Sequence, residues 1–160
     1  LNSYNSKYDK YIRNEDGGVF TQQEKNGLIS FRNHCASCHT EPLFTNNEFH
    51  NNGLTLDPYL KDYGRMQITN NVNDSLKFKV PTLRNIQFTP PYMHDGRFES
   101  LKAVITHYSS GITHSSTLAE NLKNNLKLTH KEEVDLLVFL RTLTDKDFLF
   151  NNRFSYPYNN

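Results

Sequence analysis

The two cysteines of this 160-residue chain lie three positions apart, and a histidine directly follows the second one. They belong to the segment RNHCASCHTEP, residues 32–42, as Cys35, Cys38 and His39. A pair with this spacing can be a thiol redox centre, part of a metal site or, with the adjoining histidine, an attachment site for a c-type haem. The rest of the sequence has to decide among these three.

The context of the motif favours haem attachment. A thioredoxin-type pair needs strands around it, and the sequence shows no alternating strand pattern there. A structural zinc site needs four ligands, and no second cysteine pair is present to complete one. In c-type attachment the two thiols add to the haem vinyl groups and the adjoining imidazole binds the iron. We therefore predict one haem c, anchored by Cys35 and Cys38, with His39 as the proximal iron ligand.

Charge and hydropathy exclude two classes of partner. Eighteen Lys and Arg against seventeen Asp and Glu give a net charge of +1, so no nucleic-acid-binding surface is indicated. No apolar stretch approaches the ~20 residues of a membrane span.

The chain begins without Met or a signal-peptide pattern, which is typical of a processed or cropped chain. Because haem c is attached outside the cytoplasm, we expect a periplasmic or otherwise extracytoplasmic protein.

The length predicts one compact domain with three parts. Residues 1–20 are polar and end in a Gly-Gly pair, which indicates a surface lead-in or linker. Residues 21–148 form the predicted cytochrome c-type haem domain. Residues 149–160 form an aromatic but aperiodic carboxy-terminal tail, which we expect to lie across a partner domain or the chain's own core.

The predicted fold class is all-α, with long ordered loops that wrap one covalently bound haem. Capping boxes open two helices, one at Thr21 and Glu24 that runs towards His34, and one at Thr129 and Glu132. The positions expected to face the core are Leu28, Ile29 and Phe31 in the first helix, and Val134, Leu137, Val138 and Leu140 in the last.

Between these helices the sequence predicts two further helical segments and one long loop region. A short helix is expected around residues 118–126. Residues 41–90 are rich in Asn, Asp, Gly and Pro and are predicted to be mostly ordered loop, which in a compact domain usually wraps something. The other helix is expected to stop near Gly111. Its apolar stripe consists of Leu101, Val104, Ile105 and Tyr108.

The sixth iron position decides what such a haem does. An open position can meet peroxide, whereas a closed one mainly passes electrons. A Met some tens of residues past the attachment motif is the usual solution in small cytochromes, which favours Met93. The chemically possible ligands downstream are Met66, Met93, His94, His107 and Tyr108.

Several separated motifs carry a family resemblance. They are FKVPTLRNIQFTPPYMHDGRFESLKAVITHY at 78–108, FHNNGL at 49–54, DYGRMQIT at 62–69 and the CASCH anchor. Together they resemble the carboxy-terminal haem domain of bacterial di-haem cytochrome c peroxidases and the related MauG-type proteins, over nearly the whole chain.

That resemblance implies a division of labour between two haem domains. In the family the amino-terminal haem binds and cleaves hydrogen peroxide, and the carboxy-terminal haem is six-coordinate and relays electrons. This chain has a single haem motif, so the peroxidatic half is expected in a separate chain, a cleaved portion or a part outside this sequence. No catalytic residue is expected here.

The resemblance also implies roles for individual residues. The family's distal ligand lies twelve residues past the Gly of the His-Asp-Gly turn, which from Gly96 is Tyr108, and the MauG branch has a Tyr there. Tyr108 is therefore preferred as distal ligand, with Met93 as the alternative. The carbonyls of Thr89 and Pro91 resemble calcium ligands of the family. Arg84 resembles a residue that pairs with a haem propionate. His94 and Asp95 form the turn before the ligand helix, as structural residues or as part of the inter-haem side.

Three functions follow as hypotheses. The first is the relay domain of a peroxidase that reduces hydrogen peroxide with electrons from a small cytochrome c or cupredoxin. The second is a MauG-like oxidase that acts through high-valent iron on a protein or other substrate, which Tyr108 favours because a phenolate stabilises ferric and higher-valent iron. The third is a stand-alone, single-haem electron-transfer cytochrome.

Overall fold

The computed structural model describes residues 3–154 and shows a mostly helical domain with one small sheet. The helices are α1 (Lys7–Ile12), α2 (Gln22–His34), α3 (Met66–Thr69), α4 (Leu101–Thr106), α5 (His130–Arg141) and α6 (Lys146–Leu149). Strands β1 (Phe49–His50) and β2 (Phe78–Lys79) pair antiparallel. Short 3-10 turns lie at Val72–Asp74, Ile86–Phe88, Glu120–Leu122 and Asn152–Phe154, and a π-helical turn at His107–Gly111.

The two long helices begin where their capping boxes predict. In α2 the Thr21 side chain accepts from the Glu24 amide while the Glu24 carboxylate accepts from the Thr21 amide, and Thr129 with Glu132 does the same for α5. Each box satisfies two backbone donors that the first helical turn would otherwise leave unpaired. The predicted starts of both helices are therefore confirmed.

The core lies where α2 crosses α5. Gly27 allows the close approach, because a Cβ there would collide with the Asp135 carbonyl of α5. Phe31 of α2 and Phe139 of α5 are fully buried, with ring centroids 5.1 Å apart, and Phe44 packs against Phe31 at 5.4 Å. The end of α2, where the Cys-x-x-Cys-His motif begins, is thus fixed to a rigid aromatic centre.

Two details of the predicted core faces are wrong. Ile29 is 59% exposed and Val134 is 38% exposed, whereas Leu28 and Phe31 are buried as expected. The inward face of α5 is instead formed by Asp135, Leu136, Phe139 and Leu140. In both helices the buried positions are those that face the crossing partner, and Ile29 and Val134 lie outside that face.

The segment 1–20 differs from the expected surface lead-in. Residues 7–12 form α1, which opens with a capping box between Ser6 and Asp9. The Tyr8 ring is 3% exposed and packs edge-on against Phe44 at 4.8 Å. Asp145 accepts from the backbone amides of Tyr4 and Asn5, so this segment is built into the same core as the helices that follow it.

Residues 41–90 are mostly ordered loop, as predicted, but they contain the two-residue strands of the small sheet. The all-α prediction therefore needs this correction. Strands of two residues are too short to show an alternating pattern in the sequence, which is why the sheet was not foreseen. The predicted short helix around residues 118–126 is a single 3-10 turn at Glu120–Leu122.

The carboxy-terminal tail is described as far as residue 154. Phe148 packs against Phe154 with ring centroids 5.5 Å apart, and Phe150 meets Phe88 edge-on at 5.8 Å. Residues 155–160 of the predicted tail lie outside the described residues. Among the helices of residues 3–154, none combines the length and the hydropathy required to cross a bilayer.

Candidate functional site

One cavity of about 390 Å³ brings most of the predicted site residues together. Its size is in the range of small-molecule and cofactor sites. The residues of the attachment motif line the cavity, namely Cys35, Cys38 and His39. The preferred distal ligand Tyr108 and its alternative Met93 line it as well. The remaining wall is mainly apolar and includes Val80, Leu83, Ile86, Val104, Leu122 and Leu126.

The cysteine pair is presented to the cavity by the end of α2. The Cys35 amide donates to the Phe31 carbonyl at 2.7 Å, and a tight turn follows in which the amides of Cys38 and His39 donate to the Cys35 carbonyl at 3.2 and 2.9 Å. Both thiols are free. Burial, and then the neighbouring Cys38, raises the pKa of the Cys35 thiol to about 12. A thiol held neutral in this way is a poor redox nucleophile, which argues against a thioredoxin-like centre.

The His39 imidazole has the hydrogen bonding of a metal ligand. Its Nδ1 lies 3.1 Å from the Phe44 carbonyl, and because a carbonyl only accepts, Nδ1 carries the hydrogen. Burial lowers the pKa of His39, and hydrogen bonds to the carbonyls of Phe44 and Pro81 oppose that effect. A neutral imidazole that donates through Nδ1 keeps the Nε2 lone pair free for a metal.

Tyr108 lies where the ligand helix changes its winding. The α4 helix gives way at His107 to a π-helical turn, and such turns occur often at functional sites. Burial raises the pKa of the Tyr108 hydroxyl to about 12, an effect that the Asn52 side chain partly offsets and the nearby cysteines reinforce. The Tyr108 side chain lines the cavity.

Met93 reaches the same cavity from the turn before α4. The amide of Tyr92 donates to the Phe98 carbonyl at 2.7 Å, which closes residues 93–97 into a tight loop. Met93 has φ of 74° and Gly96 has φ of 70°, in the left-handed region that few side chains favour. The Met93 Sδ accepts from Asn52 Nδ2 at 3.4 Å. The geometry thus keeps Met93 available as the alternative to Tyr108.

The other residues considered as distal ligands are placed differently. Met66, in α3, is not part of the cavity wall, and neither is His107, whose Nε2 pairs with the Asn52 carbonyl at 2.9 Å. His94 does line the cavity, and its ring stacks on Phe78 with centroids 3.7 Å apart. Asp95 is buried beneath this turn and forms an ion pair with Arg97.

Arg84 is not part of the cavity lining, and its predicted pairing with a propionate stays a prediction. Its guanidinium makes two parallel hydrogen bonds to the Asp9 carboxylate, at 2.9 and 2.8 Å, and Nη2 and Nε also donate to the Pro42 carbonyl at 2.7 and 3.1 Å. The prediction missed this because Asp9 is 75 positions away in the sequence. These contacts engage the donors that a propionate would need.

The two calcium candidates lie together on the rim of the cavity. Thr89 and Pro91 are exposed and belong to its lining. Across residues 3–154 no three His, Cys, Asp or Glu side chains cluster as a metal site would require. The calcium site therefore stays a prediction that depends on backbone carbonyls and on ligands from elsewhere.

Two asparagines of the cavity were not foreseen. Asn52 contacts Met93, as described above, and Asn121 Nδ2 lies 3.6 Å from Cys38 Sγ and 2.9 Å from Ser37 Oγ. Asn121 has no sequence signal, because it is far from the motif along the chain. Asn52 does have one, since it belongs to the FHNNGL segment.

The donor set of this cavity fits haem c. Two thiols at the attachment spacing, an imidazole with a free Nε2, and an oxygen or sulfur donor on the same wall are what a covalently bound, six-coordinate haem requires. The apolar remainder of the wall suits a porphyrin face.

Comparisons with known proteins point to the same cofactor. No protein-family model matches the chain. It is 31% identical to the methylamine utilization protein MauG of Methylophilus methylotrophus, over 85% of this chain and 41% of that protein. It is 32% identical to the cytochrome c551 peroxidase of Nitrosomonas europaea, over 87% of this chain and 39% of that protein.

A solved structure agrees over almost the full length. A MauG-like protein associated with microbial copper homeostasis superposes with a TM-score of 0.79 and 32% identity, covering 98% of this chain and 56% of that one. The chain belongs to the bacterial di-haem cytochrome c peroxidase and MauG family. It spans less than half the length of the curated members of this family that it matches.

Proposed function

We propose that this chain is the electron-relay haem c domain of a di-haem cytochrome c peroxidase, which reduces hydrogen peroxide with electrons from a small cytochrome c or cupredoxin. The observation that supports this most is the shared cavity: the attachment motif, the His39 imidazole and two distal donors all line it. A haem with both axial positions filled is suited to electron transfer rather than to binding peroxide.

Each proposed haem-binding residue has a defined role in this proposal. Haem, when bound, supplies reversible one-electron chemistry at its iron. Cys35 and Cys38 hold it covalently at the end of α2. His39, oriented by the Phe44 carbonyl, provides the proximal nitrogen. Tyr108, with Met93 as the alternative, closes the sixth position, and the apolar wall keeps water from the centre.

The family's two-domain organisation supports a partner for this haem. Because the chain spans less than half of its curated relatives, we infer that a second haem domain, in another part of the protein or a separate chain, supplies the peroxide-binding iron. A calcium ion held in part by the Thr89 and Pro91 carbonyls would lie between the two domains. Haem c attachment supports a periplasmic or other extracytoplasmic location.

A MauG-like oxidase is the second candidate, and Tyr108 favours it. A phenolate is a harder, anionic donor than a thioether and stabilises the more oxidised iron. A single-haem electron-transfer cytochrome that works without a second haem domain is the third candidate function.

The test uses the chain matured with haem and purified in its ferric state. We expect a low-spin, six-coordinate spectrum and little turnover of hydrogen peroxide, because peroxide needs a vacant iron position and nearby acid-base groups. Rapid peroxide turnover by this chain would contradict the relay assignment. Measuring haem iron per native protein, together with the mass of each polypeptide, separates the di-haem proposals, which expect two haems in one chain or in two associated chains, from the stand-alone carrier, which expects one.

A further inference from the structure

Asn52 is the residue that connects the two candidate distal ligands. Its side-chain Nδ2 lies 3.4 Å from Met93 Sδ, and Asn52 lines the same cavity as Tyr108, where its side chain opposes the rise that burial causes in the pKa of the Tyr108 hydroxyl. A carboxamide nitrogen carries two hydrogens, so one side chain can donate to both ligand candidates at once. Asn52 is the only residue for which the structure records an interaction with each of them within residues 3–154.

The backbone around Asn52 is fixed on both sides. The neighbouring Asn51 is 1% exposed, its Oδ1 accepts from the Gly53 amide at 2.8 Å, and its Nδ2 donates to Ser115 and Thr117. The Gly53 carbonyl accepts from the Thr113 amide at 2.8 Å. A side chain on such a restrained segment loses little further freedom when it makes a directed hydrogen bond.

A second contact joins the same residue to the ligand turn. The Asn52 carbonyl pairs with His107 Nε2 at 2.9 Å, and His107 is both buried and adjacent to Tyr108 at the start of the π-helical turn. Asn52 therefore holds the ligand turn through its backbone while its side chain reaches the ligand atoms. An asparagine with only a structural role would need the backbone contact to His107 but not a side chain that reaches the ligand atoms.

We propose that Asn52 is a positioning residue for the sixth iron ligand, whose carboxamide donates a hydrogen bond to the Tyr108 oxygen and holds the Met93 sulfur as a second acceptor. This inference rests on the proposed function, because it assumes that the haem is six-coordinate. A hydrogen bond to a phenolate draws electron density away from the oxygen and weakens its donation to ferric iron. Asn52 thereby sets the reduction potential of the haem.

The decisive experiment replaces Asn52 in the haem-loaded chain. Asn52→Leu keeps the approximate volume and removes both N–H donors. We expect the ferric-phenolate charge-transfer band to shift and the midpoint potential to fall, because the phenolate becomes the stronger donor. Asn52→Asp, which keeps the shape and lacks the donors, should shift both in the same direction and serves if the Leu variant does not mature.

Controls separate this effect from a loss of structure. Asn52→Gln restores an amide and should bring the band partly back, which a merely structural role would not require. Asn73→Leu makes the same change at an exposed position outside the cavity and should leave the phenolate band where it is. An unshifted band and potential in both Asn52→Leu and Asn52→Asp would overturn the inference while leaving the relay proposal intact. A five-coordinate, peroxide-consuming parent chain would overturn both.

Discussion

The guanidinium of Arg84 and the carboxylate of Asp9 meet face to face through two parallel hydrogen bonds, with 10% and 7% of the two side chains exposed. The pair links α1 to the loop region 41–90. Arg84 also holds the Pro42 carbonyl, close to Phe44, whose own carbonyl orients His39. The contact thus stabilises the frame around His39, the proposed proximal ligand, without lining the cavity.

Removing one partner of this pair should cost stability rather than function. We expect Arg84→Met to lower the free energy of unfolding by about 3 kcal/mol, because it leaves the buried Asp9 charge unpaired. Denaturant unfolding of the haem-loaded chain measures this, and the double variant with Asp9→Asn should recover part of the loss. Unchanged stability together with a shifted haem potential would instead restore the role of Arg84 beside a propionate.

The same pair predicts a pH dependence. Burial tends to raise the pKa of Asp9, but hydrogen bonds from Arg84 and Ser6 outweigh it, so the folded-state pKa lies below the usual 3.8. A carboxyl with a depressed pKa stabilises the fold fully above its unfolded pKa and loses that contribution as pH falls through the folded value. Below about pH 4 we therefore expect Asp9→Asn to lose less stability on acidification than the parent chain, measured by denaturant unfolding at pH 7 and pH 3. Equal losses of stability in the two proteins would show that other carboxyl groups cause the destabilisation at low pH.

Covalent attachment is tested by extraction. The haem of the parent chain should remain with the protein after acid-acetone treatment, because thioether bonds to Cys35 and Cys38 survive denaturation. Cys35→Ser and Cys38→Ser should each leave a single bond, visible as a shifted pyridine haemochrome band. A haem that extracts freely from the parent chain would rule out attachment through these residues.

The choice between the two distal ligands is tested by a matched pair of variants. Tyr108→Phe removes only the oxygen and keeps the ring packing, so it should open the iron or recruit Met93. Met93→Leu keeps the volume and should leave the ferric spectrum unchanged. A spectrum unaltered by Tyr108→Phe but converted to high spin by Met93→Leu would identify Met93 as the ligand.

The helix crossing at Gly27 gives a third stability test. A Cβ at this position would meet the Asp135 carbonyl and lie 2.6 Å from Phe139 Cβ. We expect Gly27→Ala to destabilise the fold by about 2 kcal/mol through forced separation of α2 and α5. The exposed neighbour Lys25→Ala, on the same helix, serves as control and should change little. An unchanged melting temperature for Gly27→Ala would show that the crossing can relax.

Local signals predicted more of this protein than distant contacts did. The capping boxes at Thr21 and Thr129 act within four residues, so both helix starts were readable from the sequence. The placement of Tyr108 on the cavity wall followed from the stripe of α4. The ion pair of Arg84 with Asp9 could not be predicted, because Asp9 lies in a segment that composition alone marked as surface, although Ser6 and Asp9 form a capping box of their own.

The candidate site shows the same difference between local signals and distant contacts. Cys35, Cys38 and His39 lie within five consecutive positions, so spacing alone predicts their roles. Asn121 could not be predicted, because it becomes part of the cavity only through folding of remote segments, whereas Asn52 lies in the FHNNGL segment that the family resemblance already included. Short strands and a π-helical turn likewise leave no period in the sequence to read.

The orientation of His39 has a consequence for how the chain assembles. Its ring is set by the Phe44 carbonyl, five positions away, whereas the opposite wall depends on contacts such as Asn121 to Ser37, separated by 84 positions. Closing loops of that length costs chain entropy and slows folding. A haem bonded to the short motif would lie in the cavity that these remote segments line, so it would act as a template on which they fold. The matured chain should then fold faster than the haem-free polypeptide.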